Sequence, residues 1–573
     1  MDRVLVLDAD SHAGVEVIQS LGRAGAQIDA CAPAHCLAFH SRYVSRRLQQ
    51  PDIADGGQFT AWLRSLNEDA RYQLVVPATE RALRAVRRLG PTDALRVRAI
   101  LASDDAIDVA LDKHRTWSLA KSLGVPVPES VLIESLDELP PVPGYPVALK
   151  TTGSLIVGQR TTVAGGVIIA DCAEARLAFL RTHLRYGPVQ QQTYVAGHGV
   201  GVEFLYDRGR AAWHFAHERI HEGSLRGGAS TYRRSIDAPP AVFAAAKRLL
   251  DELNWNGVAM VEFKVQAGGQ FHLMEINPRL WGSLALAIKA GVDFPQGLLC
   301  LAKGKRVGPQ PRYRRNYYAR AFKDDFFWQI ENLRADHSDP LLLTRSRLVT
   351  FAENLRPLIG KESWDHFDWR DLAVTAESLR RTASRLMGAL DRRRVIGRLM
   401  RVHRQRFSAH SERASHVRKL LFVCHGNICR SAFAAELARM RLPNYQVESA
   451  GVGAEEGRQT PQEIAELARA RGVELERHRS VRVTEAQVQA ADLILVSDVE
   501  NMKTLLTAWP VARSRTTMLG LFAEPAVVSI PDPYGAPQAE ASESLELVAS
   551  AVNGLSMWLN RGKVSERAGR SAS

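Results

Sequence analysis

Cysteine is scarce in this chain, and long apolar runs are absent from it. Six cysteines are scattered over 573 residues, which argues against a disulfide framework. No run reaches the 18 or so apolar residues that a membrane-spanning helix needs. The first residues do not read as a signal peptide, and no internal repeat or low-complexity tract occurs. These absences predict a cytoplasmic globular protein of several domains.

Excess charge of one sign is also missing from most of the chain. The net charge is +13, but residues 380–419 alone hold thirteen Arg or Lys against two acids, which leaves about +2 elsewhere. A local excess of this kind does not favour nucleic acid as a partner. Apolar residues recur at helical spacing in the same region, at Leu379, Ala383, Leu386, Met387 and Leu390. A basic amphipathic helix there could contact an anionic membrane surface or an acidic partner, or it could pack on a neighbouring domain with its arginines in solvent.

The N-terminal pattern predicts a parallel α/β sheet. Apolar strand-like runs occupy residues 4–9, 74–78 and 99–103, and a helical pattern follows the first run over Val15–Gly25. Ligands of parallel sheets bind beyond the carboxyl ends of strands, which selects Asp8–Gly14 and Thr79–Glu80. The alternative is that both segments are ordinary surface loops.

Shifts in pattern divide the chain into five parts. We predict an α/β domain over 1–110, a strand-rich glycine-containing domain over 111–303, a helical basic linker over 304–417, a second α/β domain over 418–562 and a disordered tail over 563–573.

A cysteine and an arginine six positions apart stand between a strand and a helix in the second α/β domain. Cys424 and Arg430 follow the apolar run 420–423 and precede a helical pattern that begins near Ala432. The N–H groups of such a loop converge on one small volume that suits a phosphate. The loop, Arg430 and the Ser431 hydroxyl would stabilise a Cys424 thiolate, the form in which cysteine attacks. Arg430 can hold two phosphoryl oxygens at once.

An acid on a stiff loop completes this chemistry. Asp532 lies between two prolines, Pro531 and Pro533, about a hundred residues after Cys424. Such a carboxyl group could protonate a leaving oxygen and then deprotonate the hydrolytic water.

The residues from Cys424 to Ser431, together with 447–451, 492–496 and Asp532, resemble the low-molecular-weight protein tyrosine phosphatases. The resemblance implies a doubly wound parallel sheet and hydrolysis through a cysteinyl phosphate. It implies Cys424 as nucleophile, Arg430 as phosphate clamp, Asn427 and Ser431 as loop-shaping residues, Asp532 as general acid and Tyr534 as an aromatic wall. Ala432 replaces a proline that is usual in the family.

Two alternatives to an active phosphatase remain at this point. Arsenate reductases share the loop, but they need further downstream cysteines, and none follows Cys429. A loop that binds phosphate without turnover is the other alternative. Cys429 itself either packs beneath the loop or forms a reversible disulfide with Cys424 that protects it from over-oxidation.

Two lysines, followed along the chain by two glutamates and an asparagine, lie between residues 110 and 303. Lys113 precedes a helical pattern, and Lys150 ends a strand that is followed by Gly153 and Gly158. Glu262, Glu275 and Asn277 lie on neighbouring predicted strands. Two lysines suit nucleotide phosphates, and an oxygen-only ligand set suits Mg²⁺.

This order of residues over 1–303, and above all Glu275–Arg279, resembles the ATP-grasp superfamily. The resemblance implies a parallel-sheet pre-domain and α+β nucleotide-binding subdomains. It implies that Lys113 and Lys150 bind ATP phosphates, that Glu262, Glu275 and Asn277 bind Mg²⁺, and that Arg279 stabilises the transferring phosphoryl group. The implied reaction converts a carboxylate to an acyl phosphate that an amine captures.

Two segments of this half leave questions open. Residues 189–199 resemble the strand that holds adenine, but Thr193 stands where an acidic residue is common. Residues 226–231 read either as a substrate-side loop or as a flexible connector.

His217 and His221 form a zinc-protease-like motif with Glu218. That chemistry needs a helix, whereas the surrounding sequence is strand-rich, so we predict that the motif binds no zinc.

Together these features predict a bifunctional enzyme, with a phosphoprotein or small phosphoester as one substrate and ATP with a carboxylate as the others. The alternative is a phosphatase that a non-catalytic ATP-binding domain regulates or scaffolds, with or without recruitment to a membrane surface.

Overall fold

A computed structural model describes residues 2–52, 56–69, 72–142, 144–153, 155–157, 162–407, 413–536 and 538–570. The chain divides into two compact units, Met1–Ser384 and Arg385–Ser573. Each unit contains its own sheets and apolar clusters, which confirms the prediction of a multidomain α/β protein.

The first unit begins with a parallel four-stranded sheet of order β3-β2-β1-β4. Alternate residues of β1 enter two different apolar clusters, so both faces of the sheet are covered, as a continuous apolar run predicts. The elements of this region are β1 Arg3–Leu7, α1 His12–Arg23, β2 Gln27–Ala32, β3 Val44–Gln49, α2 Gly56–Asp69, β4 Leu74–Pro77, α3 Glu80–Arg87, α4 Ala94–Val97 and α5 Asp104–Leu111.

The predicted strand at 99–103 is wrong. The segment runs as coil after Arg98, whose carbonyl accepts a hydrogen bond from Val75 N–H. Ile100 takes a positive φ of 48°, which a β-branched residue rarely adopts and which interrupts an extended run.

An antiparallel sheet of order β5-β10-β6-β9 follows, with a separate β7-β8 hairpin. Its elements are α6 Lys113–Ser122, β5 Ser130–Ile133, β6 Val147–Thr151, β7 Leu155–Val157, β8 Thr162–Ala164, β9 Val167–Ala170, α7 Ala173–His183 and β10 Val189–Thr193. Gly158, which follows the predicted strand that ends at Lys150, lies outside the described residues.

A seven-stranded sheet of order β15-β14-β11-β12-β13-β16-β17 completes the first unit. The elements of this region are β11 His198–Asp207, β12 Arg210–Glu222, β13 Ser230–Ser235, α8 Pro240–Glu252, β14 Gly257–Val265, β15 Phe271–Asn277, α9 Leu284–Ala290, α10 Phe294–Ala302, β16 Tyr318–Arg320, α11 Phe322–Arg334, α12 Arg347–Glu353 and β17 Glu362–Trp364. The helix α13, Leu372–Arg406, begins in the first unit and ends in the second.

The region 304–417 therefore differs from the predicted helical linker. It supplies the last two strands of the large sheet, with β16 pairing antiparallel to β13 and β17 pairing parallel to β16. Each strand has three residues, too few to show an alternating pattern in sequence.

The second unit is a parallel sheet of order β19-β18-β20-β21 with helices on both faces. Leu420 and Phe422 of β18 enter one apolar cluster, and Leu421 and Val423 enter another. Its elements are α14 Arg413–His416, β18 Lys419–Cys424, α15 Arg430–Arg441, β19 Gln446–Gly451, α16 Gln462–Arg469, α17 Glu485–Ala490, β20 Leu493–Val496, α18 Val499–Ala508, β21 Thr516–Met518 and α19 Gln538–Arg570.

Two predictions, the disordered tail and the basic helix, concern segments of this unit. The helix α19 continues through residues 563–570, where disorder is predicted, and residues 571–573 lie outside the described part. Met400 and Phe407 pack into the apolar clusters of the second unit. The end of the basic helix thus packs on a domain, while most side chains of 388–399 are not described.

Candidate active sites

Cys424 ends β18, and the loop that follows it turns directly into α15 at Arg430. The Sγ atom lies 3.0 Å from Ser431 Oγ and accepts a hydrogen bond of 3.2 Å from Asn427 N–H. A hydroxyl and a backbone N–H on the sulfur stabilise a thiolate over a thiol.

Asn427 shapes this loop through its backbone and its side chain. Its φ is 53°, in the left-handed region that asparagine tolerates better than most residues. The buried amide donates to Ser431 Oγ at 2.9 Å and to Ser449 Oγ at 3.0 Å, and Oδ1 accepts from Val481 N–H at 2.9 Å. The loop is therefore fixed to two neighbouring segments before any phosphate arrives.

Arg430 is almost fully buried, with 4% of its side chain exposed. Its Nη1 donates to Asp498 Oδ2 at 2.8 Å and to the Ile530 carbonyl at 2.9 Å. Its Nη2 lies 2.9 Å from Asp532 Oδ2. The two carboxylates and the carbonyl orient the guanidinium, and the structure thus brings Cys424, Asn427, Arg430, Ser431 and Asp532 into one site.

The rim of the site is formed by Tyr534 and by a residue that the sequence did not single out. Asp532 is half exposed and accepts a 3.3 Å hydrogen bond from Tyr534 N–H. Arg458 Nη2 donates to Tyr534 Oη at 2.6 Å, and its guanidinium lies 5.1 Å from the ring centroid. Arg458 follows the positive-φ Gly457 in a loop anchored to Ser480, so only the three-dimensional structure connects it to the site.

Cys429 is buried beneath the loop in the apolar cluster of the second unit. Burial raises the pKa of its thiol to about 12. This placement agrees with the packing alternative, and the disulfide alternative stays a prediction. Ala432, where the family usually has proline, is buried in the first turn of α15.

All six residues predicted for the N-terminal site line one cleft of about 980 Å³ in the first unit: Lys113, Lys150, Glu262, Glu275, Asn277 and Arg279. Residues 226–231 line the same cleft, which agrees with a substrate-side loop. Thr193 also lines it, at the end of β10.

The two glutamates face each other across adjacent strands, because Glu262 of β14 is the register partner of Glu275 of β15. The Asn277 amide lies 3.1 Å from Glu262 Oε1 and 3.0 Å from Glu275 Oε1. Burial raises the pKa of Glu262. Burial acts the same way on Glu275, but Lys113, at 3.8 Å, and the Asn277 amide hold the pKa of that carboxyl below its usual value.

This donor set fits a hard divalent cation. Two carboxylates and an amide converge within hydrogen-bonding distance, and a half-turn of the Asn277 amide would present its oxygen to the same point. No group of three or more His, Cys, Asp or Glu side chains is arranged for a metal within the described ranges. The donor set is thus made of oxygen-bearing side chains, the kind of ligand that hard cations prefer over the nitrogen and sulfur ligands of zinc.

Lys150 lies deep in the cleft, on the strand β6. Burial lowers the pKa of its ammonium group to about 8, although Glu275 opposes that shift. An ammonium group at this position in the cleft is well placed to meet an anionic phosphate chain.

Arg219 is a cleft residue that sequence reasoning missed. Its Nη2 pairs with Glu262 Oε2, and Lys264 lies 3.2 Å from Glu222 Oε1 nearby. Arg219 lies on β12, separated from β14 by β11, so nothing in linear order points to the pair.

The zinc-protease-like motif lies on the strand β12, as predicted, and its histidines have separate partners. His217 Nδ1 bonds to Glu203, while His221 Nδ1 lies 2.7 Å from Asp325 Oδ1. Both rings are buried in the sheet as structural groups.

The polar side chains in the loops beyond the strands of the first sheet form hydrogen bonds with one another. Thr79 Oγ1 donates to Asp8 Oδ2, and Gln50 Nε2 donates to Asp8 Oδ1 at 2.5 Å. Among these loop residues, His12 alone lines the cleft of the first unit within the described part of the chain.

Two family models match the chain. One, described as low molecular weight phosphotyrosine protein phosphatase, matches residues 419–565. The other, described as ATP-grasp in the biosynthetic pathway with Ter operon, matches residues 191–323. Both agree with the resemblances drawn from the sequence.

Curated relatives and solved structures match the C-terminal part. A probable low molecular weight protein-tyrosine-phosphatase EpsP from Ralstonia nicotianae is 33% identical over 145 residues, which are 25% of this chain and 96% of that protein. A protein-arginine-phosphatase from Geobacillus stearothermophilus is 32% identical over 120 residues, 21% of this chain and 80% of that protein. The crystal structure of the tyrosine phosphatase Wzb from Escherichia coli K30 in complex with sulphate is 29% identical, covers 25% of this chain and 97% of that one, and has a TM-score of 0.24.

Proposed function

Because the chain belongs to the low molecular weight phosphotyrosine protein phosphatase family through residues 419–565, we propose that this part hydrolyses protein phosphotyrosine through a cysteinyl phosphate. The Cys424 thiolate attacks phosphorus, the ester P–O bond breaks, and Asp532 gives its proton to the leaving oxygen. Water then attacks the phosphocysteine, Asp532 takes the proton, and the P–S bond breaks to release phosphate and the thiolate.

The observation that carries this proposal is the convergence of nucleophile, clamp and acid. Cys424 and Arg430 lie at the two ends of one phosphate-sized loop, and Asp532 lies 2.9 Å from the Arg430 guanidinium. Arg430 holds equatorial oxygens of the phosphoryl group, and loop N–H groups meet charge that develops in the transition state.

Phosphoarginine is the second candidate substrate, because one relative is named a protein-arginine-phosphatase. We favour phosphotyrosine because Arg458 holds Tyr534 at the rim, where its ring can stack on an aromatic substrate. A phosphoarginine side chain offers no aromatic ring to this wall.

We propose that the N-terminal unit catalyses ATP-dependent joining of a carboxylate to an amine. Lys113 and Lys150 would hold the phosphates of ATP, and Arg279 would stabilise the transferring phosphoryl group. Glu262, Glu275 and Asn277 would hold Mg²⁺, which when bound neutralises phosphate charge. The support is that all six side chains line one cleft.

A non-catalytic ATP-binding domain that regulates the phosphatase is the competing proposal. Thr193 at the end of β10, in place of the common acid, offers less to a ribose than a carboxylate would. ATP consumption in the presence of candidate carboxylates and amines separates the two proposals, since a purely regulatory domain binds ATP without forming ADP.

The phosphatase proposal is tested with an aryl phosphate, a phosphotyrosine peptide and a phosphoarginine peptide under reducing conditions. Wild type and Cys172→Ser should hydrolyse the first two, and Cys424→Ser should hydrolyse none. Cys172 is exposed and lies about 250 positions before Cys424 in the sequence, so Cys172→Ser controls for the loss of a thiol outside the site. Turnover by Cys424→Ser equal to wild type would end the proposal, and faster turnover of the phosphoarginine peptide would shift it to the second substrate.

The ATP proposal is tested by titration calorimetry of the full chain with ATP and Mg²⁺. Lys150→Ala should weaken ATP binding by a factor of about ten or more, because it removes a charged contact to phosphate. Lys247→Ala removes a lysine that pairs with Asp251 on α8 and should bind as wild type does. Equal affinity in all three proteins would contradict the assignment of Lys150.

A cytoplasmic location, where Cys424 stays reduced, remains part of the proposal.

A further inference from the structure

The helix α12 and the turn that follows it present apolar side chains to solvent. Of the 24 large hydrophobic side chains that are exposed in the described part of the chain, six fall within the twelve residues 348–359. Leu348 is 81% exposed, Phe351 68% and Leu358 82%. Side chains this exposed contact little protein, so they protrude from the surface. The six are Leu348, Val349, Phe351, Leu355, Leu358 and Ile359, which we call the apolar ridge.

The orientation of α12 is the reverse of an ordinary surface helix. Thr350 and Glu353 face inward, and Glu353 Oε2 lies 3.1 Å from the buried His221 Nε2. Arg345, two positions before α12, is fixed as well. Asn332 Nδ2 donates to its carbonyl at 2.9 Å, and Asn332 Oδ1 accepts from its N–H at 2.9 Å. The polar face is thus the anchored one, and Leu348 and Phe351, three positions apart, share the outer face.

The turn after α12 is held at both ends. Arg356 Nη1 donates to Tyr232 Oη at 2.7 Å, and its guanidinium stacks 4.2 Å from the Tyr318 ring centroid. Gly360, with φ of 67°, leads into β17, where Glu362 Oε1 accepts from Arg320 Nε at 2.7 Å. Leu358 and Ile359 are therefore displayed at the tip of a fixed turn, and their exposure is a property of the folded unit.

Within the segment 345–361 that carries the ridge, the exposed charges have one sign. The basic residues of 345–361 are Arg345, Arg347, Arg356 and Lys361, and the single acid, Glu353, is buried. Arg347 and Lys361 are exposed. We propose that the apolar ridge docks the chain on the surface of an anionic lipid bilayer, with its apolar side chains in the acyl boundary and Arg347 and Lys361 among the headgroups.

A bilayer fits this surface better than a second copy of the chain. In a two-fold contact each ridge faces the other, which brings the Arg347 and Lys361 side chains of both copies together and repels them. Protruding side chains also need no complementary pocket in a bilayer. The segment is distinct from the basic helix 380–419, for which the sequence alone raised a membrane contact.

The mode of binding is peripheral. Within the described ranges no single helix is long and apolar enough to cross a bilayer, and the one consecutive pair with that length and composition, α9 with α10, bends by 88° between its halves.

The test is co-sedimentation of the full chain with phosphatidylcholine vesicles that contain about 30% phosphatidylglycerol, against vesicles of phosphatidylcholine alone. Wild type should partition onto the anionic vesicles. The triple variant Leu348→Ser/Phe351→Ser/Leu358→Ser should lower the partition coefficient at least about tenfold, since it removes the inserted apolar surface. Arg347→Gln/Lys361→Gln should lower it about fivefold for each charge removed, and only on the anionic vesicles.

The control is Val511→Ser, which removes an equally exposed apolar side chain, 73% exposed, from the second unit and should bind as wild type does. Melting temperatures of all variants should match, because the substituted side chains contact little protein. The proposal is overturned if wild type stays in the supernatant, if the triple variant binds like wild type, or if binding is lost only when Arg380 and Arg381 are neutralised. It is also overturned if sedimentation velocity shows that the triple variant converts a wild-type dimer to a monomer, since the ridge then serves a second copy.

Discussion

Arg430 and Asp532 form an ion pair, with Nη2 and Oδ2 2.9 Å apart. The phosphate clamp and the proposed general acid are therefore neighbours on the same side of the loop. A phosphoryl group that engages the guanidinium would compete with this carboxylate and place a negative charge beside it.

Replacing Asp532 should slow the chemical step and leave substrate binding largely intact. We expect Asp532→Asn to lower kcat by roughly 10²–10⁴-fold for phenyl phosphate, a poor leaving group, and by less for p-nitrophenyl phosphate. Steady-state kinetics on both substrates measures the difference. Glu500→Gln, an exposed acid on α18, should leave both rates unchanged. A kcat for Asp532→Asn within about twofold of wild type on phenyl phosphate would contradict the role.

Asn427 should be worth more to stability than a surface asparagine. Asn427→Ala removes three buried hydrogen bonds, which together stabilise by about 2–4 kcal/mol. It also leaves alanine at φ 53°, which costs about 1 kcal/mol more. Urea unfolding followed in the second unit measures the loss. Asn427→Gly relieves the backbone cost alone, so it should be less destabilised than the alanine variant. Equal stability of Asn427→Ala and wild type would show that the loop is held elsewhere.

Cys429 should react far more slowly than an exposed thiol. Its pKa of about 12 leaves few thiolates at pH 8, and its side chain is buried. In Cys424→Ser, we expect iodoacetamide to label Cys429 about a hundredfold or more slowly than the exposed Cys172, which serves as an internal standard. Peptide mass spectrometry gives both rates. Comparable labelling of the two cysteines would contradict the buried placement.

The same residue decides between the two roles that the sequence left open. After peroxide treatment and reduction, phosphatase activity should return equally in wild type and Cys429→Ser if Cys429 only packs. Recovery that is lost in Cys429→Ser would instead support a protective disulfide with Cys424.

His403 should make the second unit less stable in acid. The His403 ring stacks on the Phe407 ring, with centroids 4.9 Å apart, and meets the Phe522 ring edge-on at 4.7 Å. Burial in these surroundings lowers the pKa of His403 to about 4. The unfolded chain binds this proton near the ordinary value of 6.5, so between pH 6.5 and 4 the unfolded state holds more protons and stability falls as the pH is lowered. Allowing for partial exposure, the loss attributable to His403 is about 2 kcal/mol.

The variant His403→Phe keeps an aromatic ring and removes this titration. The difference in unfolding free energy between wild type and His403→Phe should therefore change across pH 6.5 to 4 and be constant above that window. Chemical denaturation at several pH values measures it. A difference that does not vary with pH would show that His403 is not titrating in this range.

The features that the sequence predicted correctly are local ones. A strand, a short loop and a helix N-terminus follow one another from Leu420 to Arg441, so their order alone predicts the loop geometry of Cys424 and Arg430. Lys150 was selected because it ends an apolar run, and Glu275 because Glu275–Arg279 resembles a motif of the ATP-grasp superfamily; the structure places both in one cleft. The parallel order of the first sheet followed from the alternation of strands and helices.

The features that were missed depend on contacts between distant segments. Arg219 reaches Glu262 across an intervening strand, and Arg458 reaches Tyr534 from a loop 76 positions away. The strands β16 and β17 are too short to leave a pattern, and Ile100 breaks a run that looks extended in sequence. In each case tertiary pairing, which no window of sequence contains, decides the structure.

The pairing of β13 with β16 limits how this chain can be divided. A fragment ending at residue 303 would uncover the free edge of Ser230–Ser235 and strip Tyr232 and Arg233 of Glu362 and Asp365. Unpaired edges of this kind invite aggregation. Residues 1–303 and the eighty residues after them therefore form one folding unit. Any exchange of the two units as separate modules would have its boundary near Ser384 and not at residue 303.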